Sequence, residues 1–177
     1  MKSFSFQMAT QIEFGEGVIS RIGELTAPFG KHVLLVYGKE SIRKNGVYDT
    51  VAASFQKESI TWAEHAGVSP NPLVTHAFEG AQIAKREQIE AIVAVGGGSV
   101  IDEAKAIALG LQVNSWGELW EYFTRLRTPE KAVPIVAVQT MPATASEVND
   151  CTVITNPETH EKFSVRGGDA RSKSGLA

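Results

Sequence analysis

The stretch Ala91–Leu109, AIVAVGGGSVIDEAKAIAL, narrows the choice of folds more than any other part of the chain. Five apolar residues make a run of strand length, Gly96, Gly97 and Gly98 interrupt it, and Val100, Ala104, Ile107, Ala108 and Leu111 then recur at the spacing of one helix face. A strand that is apolar throughout is buried on both faces, as in a parallel sheet covered by helices. Each glycine loses more backbone freedom on folding than any other residue, so three in a row need a reason. Two reasons compete. At the carboxyl end of a buried strand, glycines let the backbone approach a pyrophosphate, whose charge is favoured by the unpaired N–H groups and dipole of the following helix, with the Ser99 hydroxyl as a further donor. Alternatively they make a tight turn, and Ser99 with Asp102 forms an S-x-x-D capping box that binds nothing.

Strand-like and helix-like segments alternate on either side. HVLLVYG (32–38), ITWAEHAG (60–67) and VPIVAVQ (133–139) read as strands. GVYDTVAASFQ (46–56) reads as a helix, as does the Val74, Ala77, Phe78, Ala81, Ala84 face that follows the SPNP stop. The helix after the glycines leads through LWEYF to VPIVAVQ. CTVITNPETHEKFSVRG reads as two short strands around an NPET turn. The fold class expected is α/β: a Rossmann-like, doubly wound, mainly parallel sheet with flanking helices and a β-hairpin near the C-terminus. Residues 1–167 form one domain in this reading, and GDARSKSGLA (168–177) is a polar tail expected to be disordered.

Composition excludes several classes of function. The 177 residues, 43% hydrophobic and 21% charged, suffice for one domain with a core. A net charge of −3 arises from 17 basic and 20 acidic residues without blocks, so nucleic acid and anionic lipid are not expected partners. The single cysteine, Cys151, cannot pair internally and reads as a small core residue in a reducing compartment. The N-terminus lacks a continuous apolar leader, and no run approaches the roughly 20 apolar residues that span a bilayer, so a soluble cytoplasmic protein is expected. No Walker A loop occurs, and Asp102 and Glu103 stand where G-x-G-x-x-G needs small residues. His32, His65, His76 and His160 show no H-x-x-x-H or H-E-x-x-H pairing; each reads as a surface or turn residue, and no metal is expected in this chain.

FGEG (14–17), GGGSVIDEAK (96–105) and TMPATASEVN (140–149) occur in an order and spacing that resembles the iron-containing alcohol dehydrogenase family. VYGKESIRKNGVYD, HAGVSPNP and NPETHEKFS resemble its butanol dehydrogenase and NADPH-dependent aldehyde reductase branch. The resemblance runs from Phe4 to about Gly167. It implies the N-terminal cofactor-binding portion of an oxidoreductase that transfers hydride between NADP(H) and an alcohol or aldehyde. It further implies that Gly97, Gly98 and Ser99 hold the pyrophosphate and that Asp102 lies near the nicotinamide ribose. Thr140 and Thr144 would contact the cofactor, Asn149 and Lys162 would close over it, and capping becomes a secondary role for Ser99 and Asp102. Glu147 is left structural.

Cofactor choice is read at YGKES. NAD-preferring members often carry Asp where this chain has Gly38, and losing that carboxylate removes the repulsion of a 2′-phosphate. Lys39 could neutralise the phosphate and Ser41 could donate to it, which favours NADP(H); Glu40 could restore NAD.

The family's divalent metal, Fe or Zn, is held by one Asp and three His in a helical domain that is absent here. No catalytic or metal-binding residue is therefore assigned, and the chain alone is expected to be inactive. Truncation, separate encoding and a frameshift all stay open as the origin of the missing half. A non-catalytic nicotinamide-dinucleotide-binding module is the alternative function. A glycerol dehydrogenase or dehydroquinate synthase relative is a further one, which TMPATASE and NPETHEKFS argue against. A domain without its packing partner should expose an apolar face, so a homo-oligomer is possible.

Overall fold

The computed structural model describes residues 10–142 and 145–166, and the backbone of 172–176. β1 (Gln11–Glu13), a 3-10 turn (Val18–Arg21) and α1 (Ile22–Thr26) lead into β2 (His32–Tyr37). Then follow α2 (Ser41–Lys44), α3 (Val47–Lys57), β3 (Thr61–Ala66), α4 (Val74–Arg86), β4 (Ala91–Gly96) and α5 (Gly98–Gly110). α6 (Trp116–Phe123), β5 (Ile135–Gln139), β6 (Cys151–Thr155), β7 (Lys162–Arg166) and β8 (Ser172–Leu176) complete the order.

Six strands form one parallel sheet in the order β1-β8-β5-β4-β2-β3. From β2 the chain moves outward to β3, then crosses back over β2 to β4 and on to β5. The direction of winding therefore reverses between β2 and β4, and such a reversal opens a crevice at the carboxyl ends of the strands.

Residues alternate between the two faces. Leu34, Val36, Ile92, Ala94, Ile135 and Ala137 pack with α4, α5 and α6, whereas Val33, Leu35, Val93, Val95, Val136 and Val138 pack with α1 and α3. Each fully buried aliphatic side chain contributes roughly 1.5–3 kcal/mol, so β2, β4 and β5 anchor the sheet. The expected parallel α/β architecture is thus present, and among the described residues no helical domain follows it.

The helix after the glycines does not run on through LWEYF. It breaks at residues 111–115 because Ser115 starts a new helix: its Oγ accepts from the Glu118 N–H (3.1 Å), while Glu118 Oε2 accepts from the Asn114 N–H (3.1 Å). The expected hairpin forms antiparallel pairs from Cys151↔Arg166 to Thr155↔Lys162. Ile154 and Val165 bury it against the helical layer, and Phe163 stacks on Trp120 at 5.5 Å between ring centroids.

Ser172–Leu176, placed by sequence in a disordered polar tail, instead forms β8, parallel to β5 on one side and β1 on the other. The main-chain groups along the edge of β5 take a partner whose own backbone supplies the ladder. SKSGL has no apolar alternation, so nothing in its side chains announced a strand.

Candidate functional site

The three glycines have separate uses. Gly96 ends β4, and a Cβ there would lie 2.5 Å from Val100 Cγ2, so its bare backbone is required for α5 to turn closely off the strand. Gly96→Ala is expected to cost about 1–3 kcal/mol by overpacking, read as a lower midpoint in thermal unfolding. Gly97 is the N-cap of α5 with φ −85° and ψ −172°, an extended conformation open to any residue. A Cβ at Gly97 would approach only Met141 Cβ, at 4.0 Å. What its missing side chain leaves is open space. The N–H groups of Val100 and Ile101 turn back to the Gly97 carbonyl (3.0 and 3.2 Å), while the helix has no acceptor for those of Gly98 and Ser99.

That space belongs to a cleft of about 620 Å³ between the start of α5, the segment after β5 and the hairpin. Six of the expected site residues line it: Gly97, Gly98, Ser99, Asp102, Asn149 and Lys162. Thr140 lies beside it, its N–H donating to the Gly96 carbonyl (3.0 Å), but is not part of its wall. Gly38, Lys39 and Ser41 are at the carboxyl end of β2, the neighbour of β4, on the same edge of the sheet but outside this cleft. Thr144 lies outside the described residues.

The capping role of Ser99 and Asp102 is not found. Gly97 occupies the cap position and no side chain caps the helix. Asp102, 9% exposed, instead reaches sideways to the hairpin: Oδ2 accepts from the Val153 N–H (3.2 Å), and its main-chain oxygen accepts from Thr152 Oγ1 (2.6 Å). Oδ1 is buried with no partner among the described residues. Burial pushes the Asp102 carboxyl above its ordinary range, with Ser146, Lys105 and Val153 opposing.

Lys105, one turn further along α5, went unnoticed in the sequence. It is fully buried, and its Nζ donates to the carbonyls of Ser146 (2.6 Å), Cys151 (2.8 Å) and Asn149 (3.0 Å) and lies 3.1 Å from Asn149 Oδ1. Burial pushes its pKa down, with Asp102 foremost among the charges that oppose the shift. A lysine four residues from both Ile101 and Leu109 sits on an apolar stripe, and that position was the available signal. The ammonium gathers Ser146, Asn149 and the start of β6 against α5. Asn149 is part of the same frame, since Oδ1 also accepts from the Cys151 N–H (2.9 Å). Lys162 Nζ bridges to Asn71 Oδ1 (2.6 Å), tying the hairpin to the loop before α4. Cys151, read as a core residue, is only partly buried and lines the cleft, because it begins the hairpin at its rim.

Two histidines also depart from expectation. His32 is at the edge of β2, with Nδ1 2.7 Å from Thr61 Oγ1, and His160 is exposed in the hairpin turn with φ 59°. His65 is buried on β3 and His76 is partly buried on α4, and both donate to Glu103 Oε1 of α5, at 3.0 and 2.6 Å. They are neither surface nor turn residues: the crossover from β3 through α4 to α5 brings together positions 38 and 27 residues apart from Glu103. Burial alone would raise the Glu103 carboxyl, but the two imidazole hydrogen bonds hold it below its ordinary range. The bond to Glu103 raises the pKa of His76. Among the described residues, no Asp and three His converge as the resemblance would require for the family's metal.

Comparison with known proteins matches this arrangement. The chain is 44% identical over 163 residues to a probable NADH-dependent butanol dehydrogenase 1 of Bacillus subtilis, covering 92% of this chain and 42% of that protein. It is 32% identical, also over 163 residues, to the NADPH-dependent aldehyde reductase YqhD of Escherichia coli, covering 92% of this chain and 41% of the other. The crystal structure of NADH-dependent butanol dehydrogenase A from Thermotoga maritima superposes with a TM-score of 0.93 at 42% identity, over 99% of this chain and 44% of that one. The chain thus spans less than half the length of these relatives. With residues 9–173 matching the family model, the strand–glycine–helix cleft and its fold place the chain in the iron-containing alcohol dehydrogenase family.

Proposed function

We propose that this chain is the cofactor-binding portion of an oxidoreductase that moves hydride between NADP(H) and an alcohol or aldehyde. The observation that carries the reading is the cleft at the bare Gly97 backbone, lined both by the start of α5, whose first N–H groups have no acceptor within the helix, and by Asp102, whose buried Oδ1 has no partner among the described residues. Gly97, Gly98 and Ser99 take the pyrophosphate, and Asp102 Oδ1 accepts from a hydroxyl of the nicotinamide ribose. Thr140 flanks the cofactor, and Asn149 and Lys162 form the far wall. Bound there, the nicotinamide supplies the hydride chemistry; the residues of this chain bind and orient it. The substrate pocket and the Fe or Zn site belong to the complete enzyme, and the chain alone binds cofactor without turnover. It works in the cytosol, and no helix among the described residues is long and apolar enough to cross a membrane.

NADP(H) is favoured by Gly38, which presents no carboxylate at the end of β2, and by Lys39 and Ser41, both exposed beside it. Glu40 is turned toward Lys44 (3.7 Å). Arg43 is already committed to Glu64 and Tyr37 (2.7 Å each), which leaves Lys39 as the cation for the 2′-phosphate. In a fluorescence titration, NADPH is expected to bind more tightly than NADH, and Gly38→Asp to move the ratio toward NADH by roughly tenfold, about 1.4 kcal/mol. A ratio unmoved by the carboxylate would show that this strand end does not read the 2′-phosphate. The alternative, a non-catalytic binding module, gains support if the complete protein binds NADPH saturably yet never oxidises it with aldehyde and added iron or zinc.

A further inference from the structure

β3, α4 and α5 each contribute one side chain to a cluster that the cofactor reading leaves unused. His65 Nε2 and His76 Nδ1 converge on Glu103 Oε1, and the three donor atoms lie within 4.8 Å of one another. Glu103 is fully buried, yet all its hydrogen bonding falls on one oxygen; Oε2 is buried and has no partner among the described residues. A buried carboxylate satisfied at one oxygen only is costly, and a cation bound at Oε1 would offset the charge that the second oxygen leaves unpaired. The packing around the rings is shaped for them. A Cβ at Gly80 would stand 2.9 Å from His65 Cδ2, and Gly67 lies beside His76 Nε2, where a Cβ would be 3.7 Å away.

We propose that His65, His76 and Glu103 form a binding site for a divalent ion of borderline softness, Zn²⁺ in the first instance. Two imidazoles and one carboxylate suit Zn²⁺ rather than Mg²⁺ or Ca²⁺, which take oxygen donors almost throughout. Tetrahedral zinc needs donors roughly 2.0–2.2 Å from the ion and so about 3.3–3.5 Å from each other. The present spacings of 2.6 and 3.0 Å to Oε1 widen to that with side-chain movements of under about 1 Å, and the two imidazole nitrogens lie within 4.8 Å of each other. His76 has 27% of its side chain exposed, against 5% for His65 and none for Glu103, so the ion enters past His76 and keeps a water on that side. Seated there, it clamps the edge strand β3 to α4 and α5.

The test is titration of the chelator-stripped full chain with Co²⁺, read by visible absorption, followed by displacement with Zn²⁺ and by thermal unfolding with Zn²⁺ present. One equivalent of Co²⁺ is expected to give a saturable tetrahedral band that Zn²⁺ abolishes, and Zn²⁺ is expected to raise the unfolding midpoint. His76→Ala, at the accessible rim and therefore the variant least apt to disturb folding, should weaken binding roughly a hundredfold or more. His65→Gln should do the same, whereas His160→Ala, in the exposed turn, should leave binding intact. The site is refuted if the wild-type chain takes up no equivalent of Co²⁺ or Zn²⁺, or if the band survives both His76→Ala and His65→Gln. NADPH affinity is read separately at the Gly97 cleft, so failure here leaves that reading standing.

Discussion

Lys105→Met is expected to remove about 3–5 kcal/mol of stability, a large part of the 5–15 kcal/mol typical of a domain, and to lower the thermal midpoint by roughly 10 °C. The methionine fills similar volume, so the loss is not one of packing. It comes from the carbonyls of Ser146, Asn149 and Cys151, which lose the ammonium as a donor, and from Asp102 deprived of a nearby cation. Stability against pH provides a second reading of the same variant. The folded Lys105 has a depressed pKa while the unfolded one keeps the ordinary 10.5. Between those two values the unfolded chain binds more protons, so the wild type gains stability as pH rises through that window. The difference between wild type and Lys105→Met should therefore widen in the alkaline range. A variant that unfolds at the wild-type midpoint would show that the ammonium does not hold these carbonyls, and a missing alkaline divergence would show that burial does not depress the Lys105 pKa.

Gly97→Val is expected to divide binding from folding. Valine adopts the extended backbone found at position 97 readily, and the nearest neighbour to a new Cβ is 4.0 Å away. The stability cost is therefore confined to a poorer N-cap, about 0.5–1 kcal/mol. The branched side chain, however, fills the space over the first N–H groups of α5, and NADPH affinity should fall roughly a hundredfold, about 2.7 kcal/mol. Unchanged affinity in a fluorescence titration would mean that the pyrophosphate lies elsewhere. Gly96→Ala gives the opposite division, since its Cβ strikes Val100 behind the cleft.

Much of this architecture could be read from the chain because burial leaves a period. β2, β4 and β5 are apolar on both faces, and α3, α4 and α5 repeat at helical spacing, so local pattern and tertiary environment agree. The candidate cleft was legible where glycines mark a backbone that something could approach, since six of the residues named from sequence line it. The misses share one cause. Lys105, His65, His76 and Glu103 are polar residues buried or half-buried through contacts with partners 27 to 46 positions away, which no local window contains. The Ser99–Asp102 pair failed from the opposite side: a local pattern suited to capping was overridden by hydrogen bonds to the hairpin some 50 residues later.

The placement of β8 bears on the order of assembly. β1, formed by residues near the start of the chain, has β8 as its neighbour in the sheet and, among the described residues, pairs with no other strand. During synthesis from the amino end, β2 through β5 can zip together as each crossover emerges, but residues 11–13 must wait for residues 174–176 before their amides find acceptors. Residues 11–13 are therefore locked only after residues 174–176 arrive, and protection of their amides from hydrogen exchange reports that late docking rather than nucleation of the sheet.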